Sequence, residues 1–106
     1  MDLTILMPCL NEAETLGLCI KKIKKNLKLL NVKSEIIIAD NGSTDNSLKI
    51  AEKEKVKIVH VKKKGYGSAL KEGIIKAKGK YVLFADADCS YNFNLIPKFY
   101  KEITKG

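Results

Sequence analysis

Two aspartates, Asp86 and Asp88, are the residues in this sequence whose type and spacing most directly suggest chemistry. They follow the apolar run 81–85 and are separated by one alanine, so an extended backbone would place both carboxylates on the same side. Two such neighbours repel each other and need a cation, unless one of them holds a proton. Mg²⁺ or Mn²⁺ suits them because both ions prefer oxygen ligands and also bind ligand phosphates. The alternative is a solvated turn in which both carboxylates are hydrated.

A glycine-containing segment, KKKGYGSALKEG at 62–73, is the second candidate for ligand binding. Gly65 and Gly67 let the backbone approach a ligand closely, and the helix predicted to begin at Gly67 or Ser68 offers phosphate-binding N–H groups. The lysines before Gly65 add positive charge. The segment departs from the dinucleotide-binding fingerprint, which requires glycine where Leu70 stands. A simple turn is the alternative role for the glycines.

A third polar cluster, DNGSTD at 40–45, follows a predicted strand. Asp40 and Asn41 form an acceptor and donor pair that could read the edge of a base or a ribose. The alternative is a side-chain-bonded turn with a helix cap, which accounts for Gly42 to Thr44 but less well for Asp40. In the fourth cluster, PCLNE at 8–12, we assign Asn11 mainly to capping the first helix, whereas Glu12 has no comparable structural role.

The elements that must position these clusters alternate along the chain. Apolar runs typical of strands buried on both faces are separated by patterns with helical spacing. This alternation predicts an α/β fold in which right-handed crossovers build a mainly parallel sheet of about four strands with helices on both faces. All four polar clusters then fall at the carboxyl edge of the sheet, where ligands bind in such folds. The predicted strands are 3–8, 34–40, 56–61 and 80–86, and the predicted helices begin near 12, 43, 67 and 92.

The composition limits the alternatives. The 106 residues suffice for one small domain, and 45% of them are hydrophobic, which excludes wholesale disorder. The net charge of +8 comes from lysine without any arginine, which suits a phosphate-bearing ligand, an anionic membrane surface or nucleic acid. No apolar run approaches the length of a membrane span.

The cysteines and the N-terminus bear on location. Cys9, Cys19 and Cys89 have no CxxC spacing, and the N-terminus is too short and wrongly charged for a signal peptide. We therefore expect reduced thiols and a cytoplasmic protein.

Four motifs in series resemble the inverting family 2 glycosyltransferases, which have the GT-A fold. They are PCLNEAETL, ADNGSTDNS, GYGSALKEGI and FADADCSY, and the match covers nearly the whole chain. Each motif is weak alone, but their order and spacing are specific. The resemblance is strongest to the group that contains dolichyl-phosphate mannose and glucose synthases. It implies an enzyme that transfers a hexose from a nucleotide-diphosphate-sugar to an acceptor.

The resemblance also assigns roles to residues. It places Pro8, Asn11, Glu12, Asp40 and Asn41 around the nucleoside. Asn41 stands where relatives carry a second aspartate, so uracil and guanine both remain open as the base. The donor diphosphate would pass Lys64, Gly65, Gly67 and Ser68. Asp86 and Asp88 would be the catalytic pair and would bind Mg²⁺ or Mn²⁺, with Ser90 as a further polar group near the ion.

The expected partners follow from this assignment. The donor would be a UDP- or GDP-hexose. The acceptor would be a lipid phosphate, dolichyl or another polyprenyl, or a glycan. A lipid phosphate is favoured because it is already ionised and the sequence offers no obvious general base. The lysines could attach the protein peripherally to the cytoplasmic membrane face. Relatives continue well past the two aspartates, so we expect residues 1–106 to be the nucleotide-binding half of the domain, with weak donor binding and no efficient transfer alone.

Two other classes compete with this interpretation. A non-catalytic basic module that binds nucleotides or nucleic acid would use the lysines, although a solvated lysine-rich helix face explains them better, so nucleic acid is not an expected partner. DADCS also resembles the nucleophile loop of haloacid-dehalogenase phosphatases. That loop normally follows the first strand rather than the fourth, and it carries threonine or valine where this chain has Ser90.

Overall fold

The structure is a computed structural model that describes residues 1–88, 90 and 92–105. Strands and helices alternate as the sequence predicts. In chain order they are β1 (Leu3–Cys9), α1 (Ala13–Leu30), β2 (Ser34–Asp40), α2 (Ser47–Lys53), β3 (Lys57–His60), α3 (Tyr66–Lys76), β4 (Tyr81–Phe84), a 3₁₀ turn (Phe93–Leu95) and α4 (Ile96–Thr104).

The four strands form one parallel sheet in the order β3-β2-β1-β4. The chain adds β2 and β3 on one side of β1 and then crosses back, so that β4 lies on the other side. The direction of winding therefore reverses between β1 and β4. In open parallel sheets, this switch point leaves a crevice at the carboxyl ends of the strands.

The two faces of the sheet are covered by different helices. Ile5 and Met7 of β1 belong to the core on the side of α1 and α2. Leu6, which points the opposite way, belongs to the core under α3. All three side chains are fully buried, as expected for a central strand covered on both sides. The predicted α/β architecture with helices on both faces is confirmed.

The starts of three helices show how local sequence fixes the loops. α2 begins at Ser47, later than the predicted cap at Ser43 or Thr44, because those residues are used in a turn with Asp40 and Asn11. α3 begins at Tyr66, slightly before the predicted start. Pro97 lies in the first turn of α4, where proline is tolerated, as predicted.

The cysteines only partly match their predicted state. Cys9 is a buried free thiol, and burial raises its pKa. Cys19 is buried and disulfide-bonded, so the prediction of a reduced thiol is wrong there. Cys89 lies outside the described residues. Among the described helices, none has the length and apolar character needed to cross a membrane.

Candidate functional site

A cavity of about 550 Å³ opens at the carboxyl edge of the sheet, at the switch point between β1 and β4. Its walls come from the loops that follow all four strands, so it brings together clusters that are far apart in sequence. Eight of the residues proposed from sequence line it: Pro8, Asn11, Glu12, Asn41, Lys64, Gly65, Asp86 and Asp88.

Four of the proposed residues do not line the cavity: Asp40, Gly67, Ser68 and Ser90. Asp40 is buried below it. Gly67 and Ser68 lie inside the first turn of α3, because that helix starts earlier than predicted.

Asn11 links two loops instead of capping α1. Its Oδ1 accepts hydrogen bonds from the backbone N–H groups of Thr44, at 2.8 Å, and Asp45, at 3.2 Å. Asp45 in turn accepts from the N–H of Ala13 at 3.0 Å, and so supplies the bond at the start of α1 that Asn11 was predicted to make. The capping prediction for Asn11 is therefore wrong. Asn11 has a left-handed backbone conformation, with φ 54°, and its side chain points toward the neighbouring loop.

The amide nitrogens beside Asn11 are held by the same neighbouring loop. The N–H of Asn11 donates to Ser43 Oγ, and the N–H of Glu12 donates to Ser47 Oγ, both at 3.0 Å. The hydrogen bond from the Ser47 side chain has the largest effect and lowers the pKa of Asp45. Desolvation partly opposes it, and bonds from backbone N–H groups lower the pKa further. The loops after β1 and β2 therefore form one cross-linked wall.

The carboxylate of Asp40 is engaged by its own turn. Oδ2 accepts from the N–H groups of Gly42, at 3.1 Å, and Ser43, at 3.0 Å. Oδ1 accepts from the Ser43 hydroxyl at 2.6 Å. Asp40 is only 2% exposed. The side-chain-bonded turn that was one alternative for this cluster thus accounts for Asp40 as well.

Both N–H groups of the Asn41 amide are engaged with the chain, and its oxygen accepts one bond from it. Its Nδ2 donates to the carbonyls of Val61, at 3.2 Å, and Lys63, at 3.0 Å. Its Oδ1 accepts from the N–H of Gly65 at 2.8 Å. The side chain of Asn41 therefore connects the end of β2 to the loop between β3 and α3.

The loop that Asn41 holds ends at Gly65, which precedes α3. Gly65 has φ 121°, a backbone conformation that residues with a Cβ rarely adopt. The next residue, Tyr66, begins α3 and lines the cavity. Sequence reasoning missed Tyr66, Leu10 and Thr44 as cavity residues. The one available signal was that Tyr66 stands between the two glycines of the loop.

The two aspartates of the DADCS motif are exposed at the cavity. The Tyr66 hydroxyl lies 3.4 Å from Asp86 Oδ1, and the Ser90 hydroxyl lies 3.5 Å from Oδ2. Both contacts are long, so the oxygens of Asp86 keep most of their capacity to bind a ligand. Desolvation, then the charge of Asp86 and the hydrogen bond to it, raise the pKa of Tyr66 above its ordinary value of 10.

Asp88 is held by Ser90. The N–H of Ser90 donates to Asp88 Oδ1 at 2.9 Å. The Ser90 side chain, followed by this backbone bond, lowers the pKa of Asp88 and favours the ionised form. No group of three His, Cys, Asp or Glu side chains placed to hold a metal occurs within the described part of the chain. The donors present fit an oxygen-preferring divalent ion that takes its other ligands from phosphates and water.

An α/β sheet wound in this order, with a ligand cavity at its switch point, is the architecture of the GT-A glycosyltransferases. The profile of glycosyl transferase family 2 matches residues 4–106. The chain therefore belongs to this family.

Two curated relatives illustrate the match. The low-salt glycan biosynthesis hexosyltransferase Agl6 of Haloferax volcanii is 33% identical over 104 residues, which are 98% of this chain and 25% of the relative. The glycosyltransferase GlyG of Streptococcus pneumoniae is 32% identical over 107 residues, covering 95% of this chain and 35% of the relative. The chain thus spans a quarter to about a third of the length of these two relatives. Neither a nucleic-acid-binding module nor a phosphatase is favoured by the similarities.

Solved structures agree with this family. Glucosyl-3-phosphoglycerate synthase from Mycobacterium tuberculosis in complex with UDP superposes with a TM-score of 0.83 at 25% identity, over 99% of this chain and 40% of that one. The same enzyme has been solved with Mn²⁺, UDP and glucosyl-3-phosphoglycerate. Staphylococcus aureus TarS, residues 1–349, has a TM-score of 0.76 at 23% identity, over 99% of this chain and 33% of TarS, and supports the fold alone.

Proposed function

We propose that this chain forms the donor-binding part of an inverting hexosyltransferase and binds a nucleotide-diphosphate-hexose together with a divalent cation. One observation carries the proposal. A single cavity collects the loops after all four strands, with exposed Asp86 and Asp88 in one wall and Lys64 and Gly65 in another. A positively charged, glycine-containing wall suits a diphosphate, and the acidic wall suits a cation that bridges to it.

The residues would divide the donor between them. The nucleoside would lie against Pro8, Asn11 and Glu12, with Asp40 and Asn41 behind them. The diphosphate would pass Lys64 and Gly65, with Gly67 and Ser68 following in the first turn of α3. Asp86 and Asp88 would hold the ion, and the Ser90 hydroxyl would remain close to it.

Either Mg²⁺ or Mn²⁺ fits this set of oxygen donors, and the Mn²⁺ in the related synthase supports a divalent ion. Such an ion, when bound, offsets the negative charge that grows on the leaving diphosphate. In this chain, Asp86 and Asp88 would orient the ion, and Lys64 would add positive charge beside the phosphates. Attack from the face opposite the diphosphate would invert the anomeric carbon.

The base, the acceptor and the location are finer parts of the proposal. The UDP in the related synthase supports uracil as the base, with guanine as the alternative. A polyprenyl or dolichyl phosphate would be an acceptor that needs no general base, because it is already ionised. A glycan acceptor would need one. A cytoplasmic protein that touches an anionic membrane face through its lysines fits the net charge of +8.

Calorimetric titration tests the proposal. UDP and GDP are titrated into the chain with Mn²⁺, with Mg²⁺ and with EDTA. We expect binding that requires the cation and that falls by about tenfold or more in Asp88→Ala, as expected for loss of a metal ligand. Glu52→Ala, which removes an exposed carboxylate of α2 away from the cavity, is the matched control and should bind as the wild type does.

Three results would contradict the proposal. Absence of binding of either nucleotide at millimolar concentration would reject the donor site. Binding that is indifferent to EDTA and to Asp88→Ala would reject the role of the cation. A binding constant that falls steeply with salt and extends to DNA would instead indicate a polyelectrolyte binder.

A further inference from the structure

We propose that Asn41 is a positioning residue that sets the diphosphate-binding loop, and that it does not read the base of the nucleotide. This inference rests on the proposed function and deepens it, because it assigns the specificity for phosphate and the specificity for base to different side chains. The observation that carries it is the three hydrogen bonds by which Asn41 joins the end of β2 to the loop 61–65.

The hydrogen bonds fix the orientation of the amide. The nitrogen faces two carbonyl oxygens, those of Val61 and Lys63, and the oxygen faces the N–H of Gly65. A flipped amide would set its oxygen against two acceptors and its nitrogen against a donor. Asn41 is only 9% exposed, so water can replace these bonds only in part. Both N–H groups are already used and the oxygen is directed at the N–H of Gly65, so the amide is committed to the loop.

The bond to Gly65 determines where α3 begins. The carbonyl of Gly65 accepts from the N–H of Ala69 at 3.1 Å, which closes the first turn of the helix. Tyr66 follows at once, and its hydroxyl reaches Asp86. Asn41 therefore holds the backbone that carries Lys64, Gly65 and Tyr66 along the cavity. Loss of its bonds would release the wall assigned to the diphosphate.

An aspartate cannot take over this role. Asp has nearly the same shape as Asn, but its carboxylate offers only acceptors. At position 41 it would place negative oxygen against the carbonyls of Val61 and Lys63, where the nitrogen of Asn41 now donates. The donor capacity of Asn41 therefore serves the loop.

The test compares two ligands that share the base and differ in the diphosphate. UDP, in the presence of Mn²⁺, and uridine are titrated into ¹⁵N-labelled wild type, Asn41→Asp and Asn41→Ser, and affinities are read from chemical shifts. We expect UDP affinity to fall by about tenfold in both variants, which corresponds to the loss of one hydrogen bond between the released loop and the charged diphosphate. Uridine affinity should remain unchanged within about twofold. The serine variant separates loop release from the repulsion of an added charge.

Asn46→Asp is the matched control. It adds the same charge nearby, but Asn46 is exposed, lies outside the cavity and makes no side-chain cap bond within the described structure. It should bind both ligands as the wild type does. Equal losses for uridine and UDP in the Asn41 variants would show that Asn41 contacts the base and would overturn the proposal, as would unchanged UDP affinity.

Hydrogen exchange of the Gly65 amide gives a second readout that needs no ligand. We expect this amide to exchange about tenfold faster in Asn41→Asp and Asn41→Ser, and at the wild-type rate in Asn46→Asp. Unchanged exchange in the Asn41 variants overturns the positioning role. If the wild type binds neither ligand, the proposed function fails, while the exchange rates still decide whether Asn41 holds the loop. If Asn41→Asp does not fold, Asn41→Ser still provides the comparison with the wild type.

Discussion

The two ends of the sheet treat their acidic residues in opposite ways. At the amino end, Glu35 Oε2 accepts from the Thr4 hydroxyl and from the N–H of Lys78, both at 2.7 Å. At the carboxyl end, the two oxygens of Asp86 have contacts of only 3.4 and 3.5 Å. Strong short bonds commit Glu35 to holding the fold together, whereas Asp86 keeps its oxygens available for a ligand.

The cavities at the two ends of the sheet differ in the same way. The cavity at the amino end is larger, about 680 Å³, and several lysines line it. However, α1 and α2 both end there, so their terminal carbonyls attract those lysines. Lys24, for example, contacts the carbonyl of Glu54 and lies 3.5 Å from its carboxylate. Volume and positive charge alone would have favoured the cavity at the amino end over the one at the carboxyl end. The difference between the two cavities is whether their polar groups are already bound within the protein.

The largest expected effect at the amino end is that of Gly79→Ala. A Cβ at Gly79 would lie 2.5 Å from the backbone nitrogen of Thr4 and 2.7 Å from the carbonyl carbon of Leu3. Neither strand atom can move without disturbing β1, so we expect a loss of about 3 kcal/mol in the free energy of unfolding, measured by urea denaturation. Gly67→Ala, where a Cβ meets nothing, should change it by less than about 1 kcal/mol in either direction. A Gly79→Ala protein as stable as the wild type would show that this end is loosely packed.

Thr4→Val should have the next largest effect. The Thr4 hydroxyl is fully buried, donates to Glu35 and accepts from the N–H of Gly79 at 2.9 Å. Valine keeps the shape but leaves the Gly79 N–H without its partner, so we expect a loss of about 2 kcal/mol in the free energy of unfolding. Thr104→Val removes an exposed hydroxyl from α4 and should change stability by no more than about 0.5 kcal/mol. Similar values for the two variants would contradict the structural role of Thr4.

Lowering the pH should remove the stabilisation that the Glu35 carboxylate gives to the amino end of the sheet. Desolvation is the largest single influence on Glu35 and raises its pKa, but bonds from Thr4 and Lys78 and the charges of two lysines together lower it below the ordinary value of 4.5. A lowered pKa in the folded state contributes stability that is present above about pH 4.5 and is lost as pH falls through the folded value.

The measurement is the urea midpoint between about pH 6 and pH 3. Glu35→Gln should be less stable than the wild type at pH 6, by about 1 kcal/mol for a partly exposed group, and the difference should shrink toward pH 3. A constant difference across this range would mean that the carboxylate charge of Glu35 contributes nothing.

The sequence predicted the order of elements and their common edge, because apolar periodicity and the positions of polar clusters are local signals. It did not predict the partners of Asn11, Asp45 and Asn41. Asn11 reaches Thr44, which is 33 positions away, and Asn41 reaches Gly65, which is 24 positions away. Such bonds depend on which loops the sheet order makes neighbours. A capping rule sees only the helix next in sequence, so it assigned Asn11 to α1.

The smallest expected effect on stability is that of Asp86→Asn, and it decides whether the comparison holds. Asp86 is exposed and its contacts are long, so its neutralisation should change the free energy of unfolding by no more than about 0.5 kcal/mol when measured in EDTA. Mn²⁺ and UDP together should raise the thermal midpoint of the wild type, because a ligand that binds only the folded state stabilises it. They should not raise the midpoint of the variant. If Asp86→Asn instead destabilises the protein as much as Thr4→Val, with the same midpoint shift on adding Mn²⁺ and UDP, then Asp86 is a structural carboxylate like Glu35 and the two ends of the sheet do not differ in kind.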